Sequence, residues 1–141
     1  MKVSELSGAL LDYWVARCEL TGALLGHELR RKVGGVCLIV DLADDTVVGY
    51  ICEGVHGRYR ARKDWNLVHG EWCYQPSEDW TYGGPIIDRD HIGVLPVGVD
   101  WSAWASGEMD RTATGPTALV AAMRAKVVSC FGHNVTEESS A

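Results

Sequence analysis

The sequence predicts an α+β fold: a small, mainly antiparallel sheet packed with an N-terminal and a C-terminal helix. Three observations predict it. Apolar residues near each end recur at helical spacing, two β-branched runs separated by a turn occupy the middle, and strands do not alternate with helices as βαβ units would require. At 141 residues the chain is expected to form one domain over 1–135, followed by a flexible polar tail over 136–141.

Residues 4–19 read as an amphipathic helix. Leu6, Leu10, Tyr13, Trp14 and Arg17 form its stripe, and Ser4 or Ser7 serves as the cap. Gly22 and Gly26 end the pattern. His27 to Lys32 reads as a short exposed helical turn or a loop. Val36 to Val40 is continuous and apolar, so it reads as a buried strand. Ala43-Asp44-Asp45-Thr46 carries turn chemistry, and Val47 to Cys52 completes an antiparallel hairpin.

Between Gly54 and Tyr74 the sequence is least informative. Arg58-Tyr59-Arg60-Ala61-Arg62 suits a half-exposed strand, and a second short strand is expected within 65–74. Trp80 to His91 reads as a loop, because Gly83-Gly84-Pro85 joins two free backbones to a ring that fixes φ and lacks an N–H. Ile92 to Val99 contains Pro96 and is at most an edge strand, and 101–114 reads as a loop. The last helix is the clearest. Thr114 or Gly115 caps it, Pro116 takes its first position, Leu119, Val120, Met123, Val127 and Phe131 line one face, and Gly132 stops it.

A net charge of −6 argues against general affinity for duplex nucleic acid or for an anionic membrane, since both require a basic field. The densest local basic patch is Arg58, Arg60, Arg62 and Lys63. No apolar run has the length of a membrane span, and no secretory signal opens the chain. Five cysteines without framework spacing fit free thiols in a reducing compartment, so an intracellular, cytoplasmic location is expected.

The stretch from Asp79 to Asp90 is the first candidate site. Consecutive N–H groups at Gly83 and Gly84 would make an anion-binding concavity, and Trp80 and Tyr82 would stack on a base. Arg89, with Arg124 from the last helix, would neutralise a phosphate. The expected ligand-binding set is therefore Asp79, Trp80, Tyr82, Gly83, Gly84, Arg89 and Arg124. The glycine pattern matches neither a Walker nor a Rossmann motif.

Three weaker constellations stand beside it. Cys52, His56, His69 and Cys73 have the residue types of a zinc site but not the usual close spacing. Asp88, Asp90 and His91 would serve a metal-dependent hydrolase, with no second cluster to complete it. Acid-Trp pairs recur at Asp64-Trp65, Glu71-Trp72, Asp79-Trp80 and Asp100-Trp101; converging indoles would wall a pocket, and scattered ones are packing.

Met1 to Cys18, Ser77 to Arg89 and Gly115 to Gly132 together resemble the NinX family of small phage and prophage proteins, in order and in spacing. The matching positions are Leu6, Gly8, Leu11, Asp79, Trp80, Gly83 to Ile87, Gly115, Pro116 and Ala121 to Arg124. The resemblance implies a phage accessory protein made in the bacterial host, and it brings no established biochemical activity. Together these readings predict a non-enzymatic binder of a small nucleotide-like ligand, one that sequesters a host defence signalling nucleotide. The alternative is a module that binds a host or phage replication, recombination or transcription protein, and a metal-dependent hydrolase is the third reading. No cofactor is expected. Apolar faces on the terminal helices leave room for a homo-oligomer.

Overall fold

The computed structural model describes residues 1–32, 36–52, 72–105 and 111–136. The basic patch at 58–63, His56 and His69 of the weak zinc constellation, and the acid-Trp pairs at 64–65 and 71–72 fall wholly or partly outside the described residues.

The architecture is α+β. A 3-10 turn, Val3–Glu5, leads into helix α1, Gly8–Glu19. Strands β1 (His27–Lys32), β2 (Val36–Asp41) and β3 (Thr46–Cys52) form an antiparallel meander, and the two-residue β4 (Trp72–Cys73) adds in parallel beside β3. Helix α2 spans Trp80–Asp90. A second antiparallel sheet follows in the order β5 (Gly93–Val97), β6 (Asp100–Trp104) and β7 (Ala113–Gly115). Helix α3, Ala118–Phe131, closes the order. The N-terminal residue meets the segment after α3: the Met1 amine donates to Val135 O, and the Val135 N–H donates to Met1 O.

The β2–β3 hairpin is as the β-branched runs predict. Its turn is held by Asp44, whose Oδ1 accepts from both Thr46 N and Thr46 Oγ1, while Asp45 adopts a positive φ of 58°. His27 to Lys32 is a strand, not a helical turn or loop. The register from His27↔Asp41 to Lys32↔Val36 recruits a charged segment that has no apolar periodicity of its own. The segment 101–114 is likewise not a loop throughout, because β6 and β7 lie within it. Pro96 sits on β5, an outer strand of its sheet, where a missing N–H costs no ladder bond on the open side.

Both terminal helices are more deeply buried than one amphipathic face allows. Six consecutive residues of α1, Leu11 to Ala16, are buried, as are Leu119 to Met123 of α3. Helix α3 packs on α1, α2 and all three strands of the second sheet, so it is apolar nearly all round. Its cap is Thr117, not Thr114 or Gly115: the Thr117 hydroxyl accepts from Val120 N at 3.1 Å, and Pro116 precedes the helix.

The main correction concerns residues 80–90, which form a helix and not a loop. Asp79 caps it, with Oδ1 accepting from Thr81 N at 2.8 Å. Gly83 is required by packing. A Cβ there would meet Leu119 Cδ2 at 2.6 Å and the Pro76 carbonyl oxygen closer still. Pro85 and Thr81 are both exposed, so the carbonyl that Pro85 leaves without a helical donor faces water. His91 ends the helix in the left-handed conformation at φ 53°.

Candidate functional site

The helical path of 80–90 changes what its residues are able to do. The Gly83 N–H donates to Asp79 O at 2.9 Å, and helix geometry directs the Gly84 N–H to Trp80 O, so no anion-binding concavity forms from them. Asp79 is occupied as the cap. Tyr82 packs against the core with its ring 6.0 Å from that of Tyr74. Trp80 is 57% exposed, and its ring lies over Gly84.

Arg89 is held in an ion-pair group that ties together the C-terminal ends of α1, α2 and α3. Its Nη2 donates to Glu19 Oε1 at 2.6 Å and its Nε to Asp90 Oδ1 at 3.0 Å. Lys126 bonds to both carboxylates in turn. Glu19 is almost completely buried and is paired with both cations. Burial works against ionisation of Asp90, but the hydrogen bonds from Arg89 and Lys126 outweigh it and hold its carboxyl below the ordinary value.

Arg124 does a different job. Its Nε donates to Leu6 O at 2.9 Å and its Nη1 to Thr114 O at 2.8 Å, so it staples the chain before α1 to β7. Arg124 and Lys126 lie two positions apart, about 200° around the helix axis. Arg89, which shares carboxylates with Lys126, therefore stands on the opposite side of α3 from Arg124. The structure does not bring the two arginines to one point.

The same spacing argument applies to Asp88 and Asp90, which leave α2 on different sides. Asp90 is already paired, and no group of three or more metal-ligating side chains occurs among the described residues. The described tryptophans scatter. Trp14 lies in the core, Trp80 is on the surface of α2, and Trp101 packs on the core side of β6. Trp104 lies across Gly93 on the other face, 2.5 Å from where a Cβ would stand.

A concave feature lies elsewhere, between α1 and the first sheet. It is an open groove of about 390 Å³, lined by Tyr13, Arg17, Leu20, His27, Glu28, Leu29 and Leu42. Tyr13, Arg17 and Leu20 follow one another at helical spacing along α1. His27 to Leu29 open β1, and Leu42, just after β2, is fixed by its N–H to Gly26 O at 3.0 Å. The Arg17 guanidinium stacks 4.7 Å from the Trp14 ring centroid and 5.7 Å from that of Phe131. Arg31 lies 4.3 Å from the Tyr13 centroid. The aromatic faces thus orient one arginine at the groove and place a second beside it. Of these residues, sequence reading singled out Tyr13 and Arg17, and only as part of a helix stripe. A charged β1 with no apolar period gives no signal that it walls a groove.

One buried acid stands apart from both places. Asp12 is 2% exposed, and its Oδ1 accepts from Ser77 N at 2.8 Å. Burial pushes its carboxyl up to about 7 against the lowering effect of the Ser77 bonds.

Among the described residues no helix is long and apolar enough to cross a membrane. The levansucrase LscA of Pseudomonas savastanoi pv. glycinea is 28% identical over 88 residues, a match covering 54% of this chain. The chain spans about a fifth of that curated relative's length, so the enzyme's activity stays with that protein. The family model described as bacteriophage P22, NinX matches residues 2–130, which takes in α1, both sheets, α2 and nearly all of α3. The chain belongs to the NinX family of phage proteins.

Proposed function

We propose that this NinX-family protein is a non-enzymatic binder of a small nucleotide-like ligand, which it sequesters in the host cell during infection. The observation that carries the reading is the α1–β1 groove. Its volume falls within the ~300–1,000 Å³ typical of small-molecule sites, and it combines an apolar floor with a few polar groups. Leu20, Leu29 and Leu42 offer a base an apolar surface. Arg17 and His27 are placed to meet a phosphate, and Glu28 to accept from an amino or hydroxyl group. The ligand is thereby moved from Trp80, Arg89 and Arg124, which do not line this groove.

The test is to purify the protein from phage-carrying host cells, release bound small molecules by heat, and identify them by mass spectrometry. Stoichiometric recovery of one nucleotide class supports the reading. Preparations free of any nucleotide, together with no uptake from a nucleotide pool, refute it.

A second reading, a protein-interaction module, is favoured by the outer face of the β5–β6 hairpin. Leu95, Val97 and Val99 are 52%, 56% and 93% exposed there, in the same hairpin as Trp104. A pull-down with Leu95→Asp and Val97→Asp as controls separates it. A host or phage protein lost in those variants but retained in a groove variant assigns the activity to the hairpin.

A further inference from the structure

Two cysteines that lie far apart in sequence meet at one turn of α3. Cys18 is on the last turn of α1 and Cys130 is on the last turn of α3. Cys18 Sγ contacts Lys126 O at 4.0 Å, and Lys126 O is the carbonyl that helix geometry presents to the N–H of residue 130. Both thiols therefore sit at the same turn of α3. Cys18 is buried and Cys130 is exposed.

We infer that Cys18 and Cys130 form a peroxide-responsive thiol pair, in which the exposed thiol is oxidised first and the buried one then closes an intramolecular disulfide joining α1 to α3. The division of roles follows from the surroundings. The neighbouring Cys18 thiol and the Lys126 ammonium pull the Cys130 thiol below its ordinary value, while the nearness of Cys130 and burial push Cys18 up. Thiolate is the nucleophile, so Cys130 reacts and Cys18 waits.

The chemistry balances with hydrogen peroxide as oxidant. The Cys130 thiolate attacks one peroxide oxygen, the O–O bond breaks, and hydroxide leaves, giving a sulfenic acid at Cys130. The Cys18 sulfur then attacks the Cys130 sulfur and releases the sulfenic oxygen. That oxygen departs as water, taking the Cys18 proton. Two thiols have lost two electrons, and one peroxide has become two waters. The product fixes the end of α1 that carries Arg17 and Glu19 against α3, and dithiol reductants reverse it.

The experiment is to treat the full chain with hydrogen peroxide, quench, count free thiols with a maleimide, and map cross-linked peptides by mass spectrometry. The expected result is loss of two thiols per chain, a Cys18–Cys130 peptide, faster migration on a non-reducing gel, and recovery with dithiothreitol. Cys130→Ser, at an exposed position, should keep all its remaining thiols under the same treatment. Cys18→Ser should instead accumulate a dimedone-trapped sulfenic acid at Cys130. The inference is overturned if both thiols survive peroxide that fully oxidises glutathione. It is also overturned if the disulfide maps to other cysteines or forms only between chains.

Discussion

Substituting alanine at Gly83 and at Gly84 should give sharply different results at adjacent positions of one helix. Intrinsic propensity favours alanine over glycine in a helix by roughly 0.8–1.0 kcal/mol, so composition alone predicts a gain at both. At Gly83 that gain is overridden. The new methyl group would stand 2.6 Å from Leu119 Cδ2 and closer still to the Pro76 carbonyl oxygen. Leu119 is a flexible neighbour, but the Pro76 oxygen is backbone next to the buried Ser77, whose N–H is bonded to Asp12. Overpacking of this kind costs about 1–3 kcal/mol. A net destabilisation of about 1 kcal/mol is expected, lowering Tm by about 3 °C at this chain length. At Gly84 the nearest atom to an added Cβ is Trp80 Cε3 at 3.8 Å, which is ordinary contact. The propensity gain there is partly offset by the restriction that Pro85 places on the preceding residue, so the net change stays within about 0.5 kcal/mol. Urea denaturation followed by tryptophan fluorescence measures both. A Gly83→Ala protein as stable as the parent would refute the close approach of α2 to the 76–77 segment and α3.

Other consequences follow from the same contacts. Arg124→Met leaves Leu6 O and Thr114 O without their donor, and a loss of about 1–3 kcal/mol in urea unfolding is expected, only partly restored by Arg124→Lys. Asp12 gives a pH signature with a definite sign. Its folded value of about 7 lies above the ~3.9 of an unfolded aspartate, so between those values the folded state holds a proton that the unfolded state has released. Stability from this group is therefore full below pH ~4 and is lost as pH rises to about 7, with a slope of up to about 1.4 kcal/mol per pH unit. Asp12→Asn, which still offers an acceptor to Ser77 N, should flatten that fall in urea midpoints measured from pH 4 to 7.5. Asp90 acts in the opposite sense. Its lowered value contributes stability above the ordinary carboxylate range that disappears as pH falls through the folded value, so Asp90→Asn should be most costly near neutrality.

The parts of the fold legible in the sequence were those where local pattern and tertiary packing agree. Val36 to Val40 and Val47 to Cys52 are β-branched and end at a turn that Asp44 closes, and they pair as read. Residues 80–90 misled because glycine and proline are breakers by propensity. Here Gly83 is a packing requirement, and Pro85 sits on the wet side of the helix. Strand β1 was hidden because HELRRK draws its identity from its partner β2, and β6 and β7 because they are short and are paired by tertiary context. The candidate site was least legible. Arg89 and Arg124 are chemically fit for phosphate, but their partners, Glu19 and the carbonyls of Leu6 and Thr114, are far away in sequence. The groove that replaces them needs the end of α1 against the start of β1, a juxtaposition set by the turn at 20–26 and the packing of α1 on β3, and not by any motif.

Binding of a small phosphorylated ligand in the proposed α1–β1 site is tested directly by isothermal titration calorimetry. Mono-, di- and cyclic nucleotides are titrated into the parent protein and into Leu42→Glu, which places a negative charge at an exposed rim position. One site per chain for one nucleotide class is expected, with affinity at least tenfold weaker in Leu42→Glu, equivalent to about 1.4 kcal/mol. Binding that is unchanged in Leu42→Glu, or no heat from any nucleotide, would contradict it.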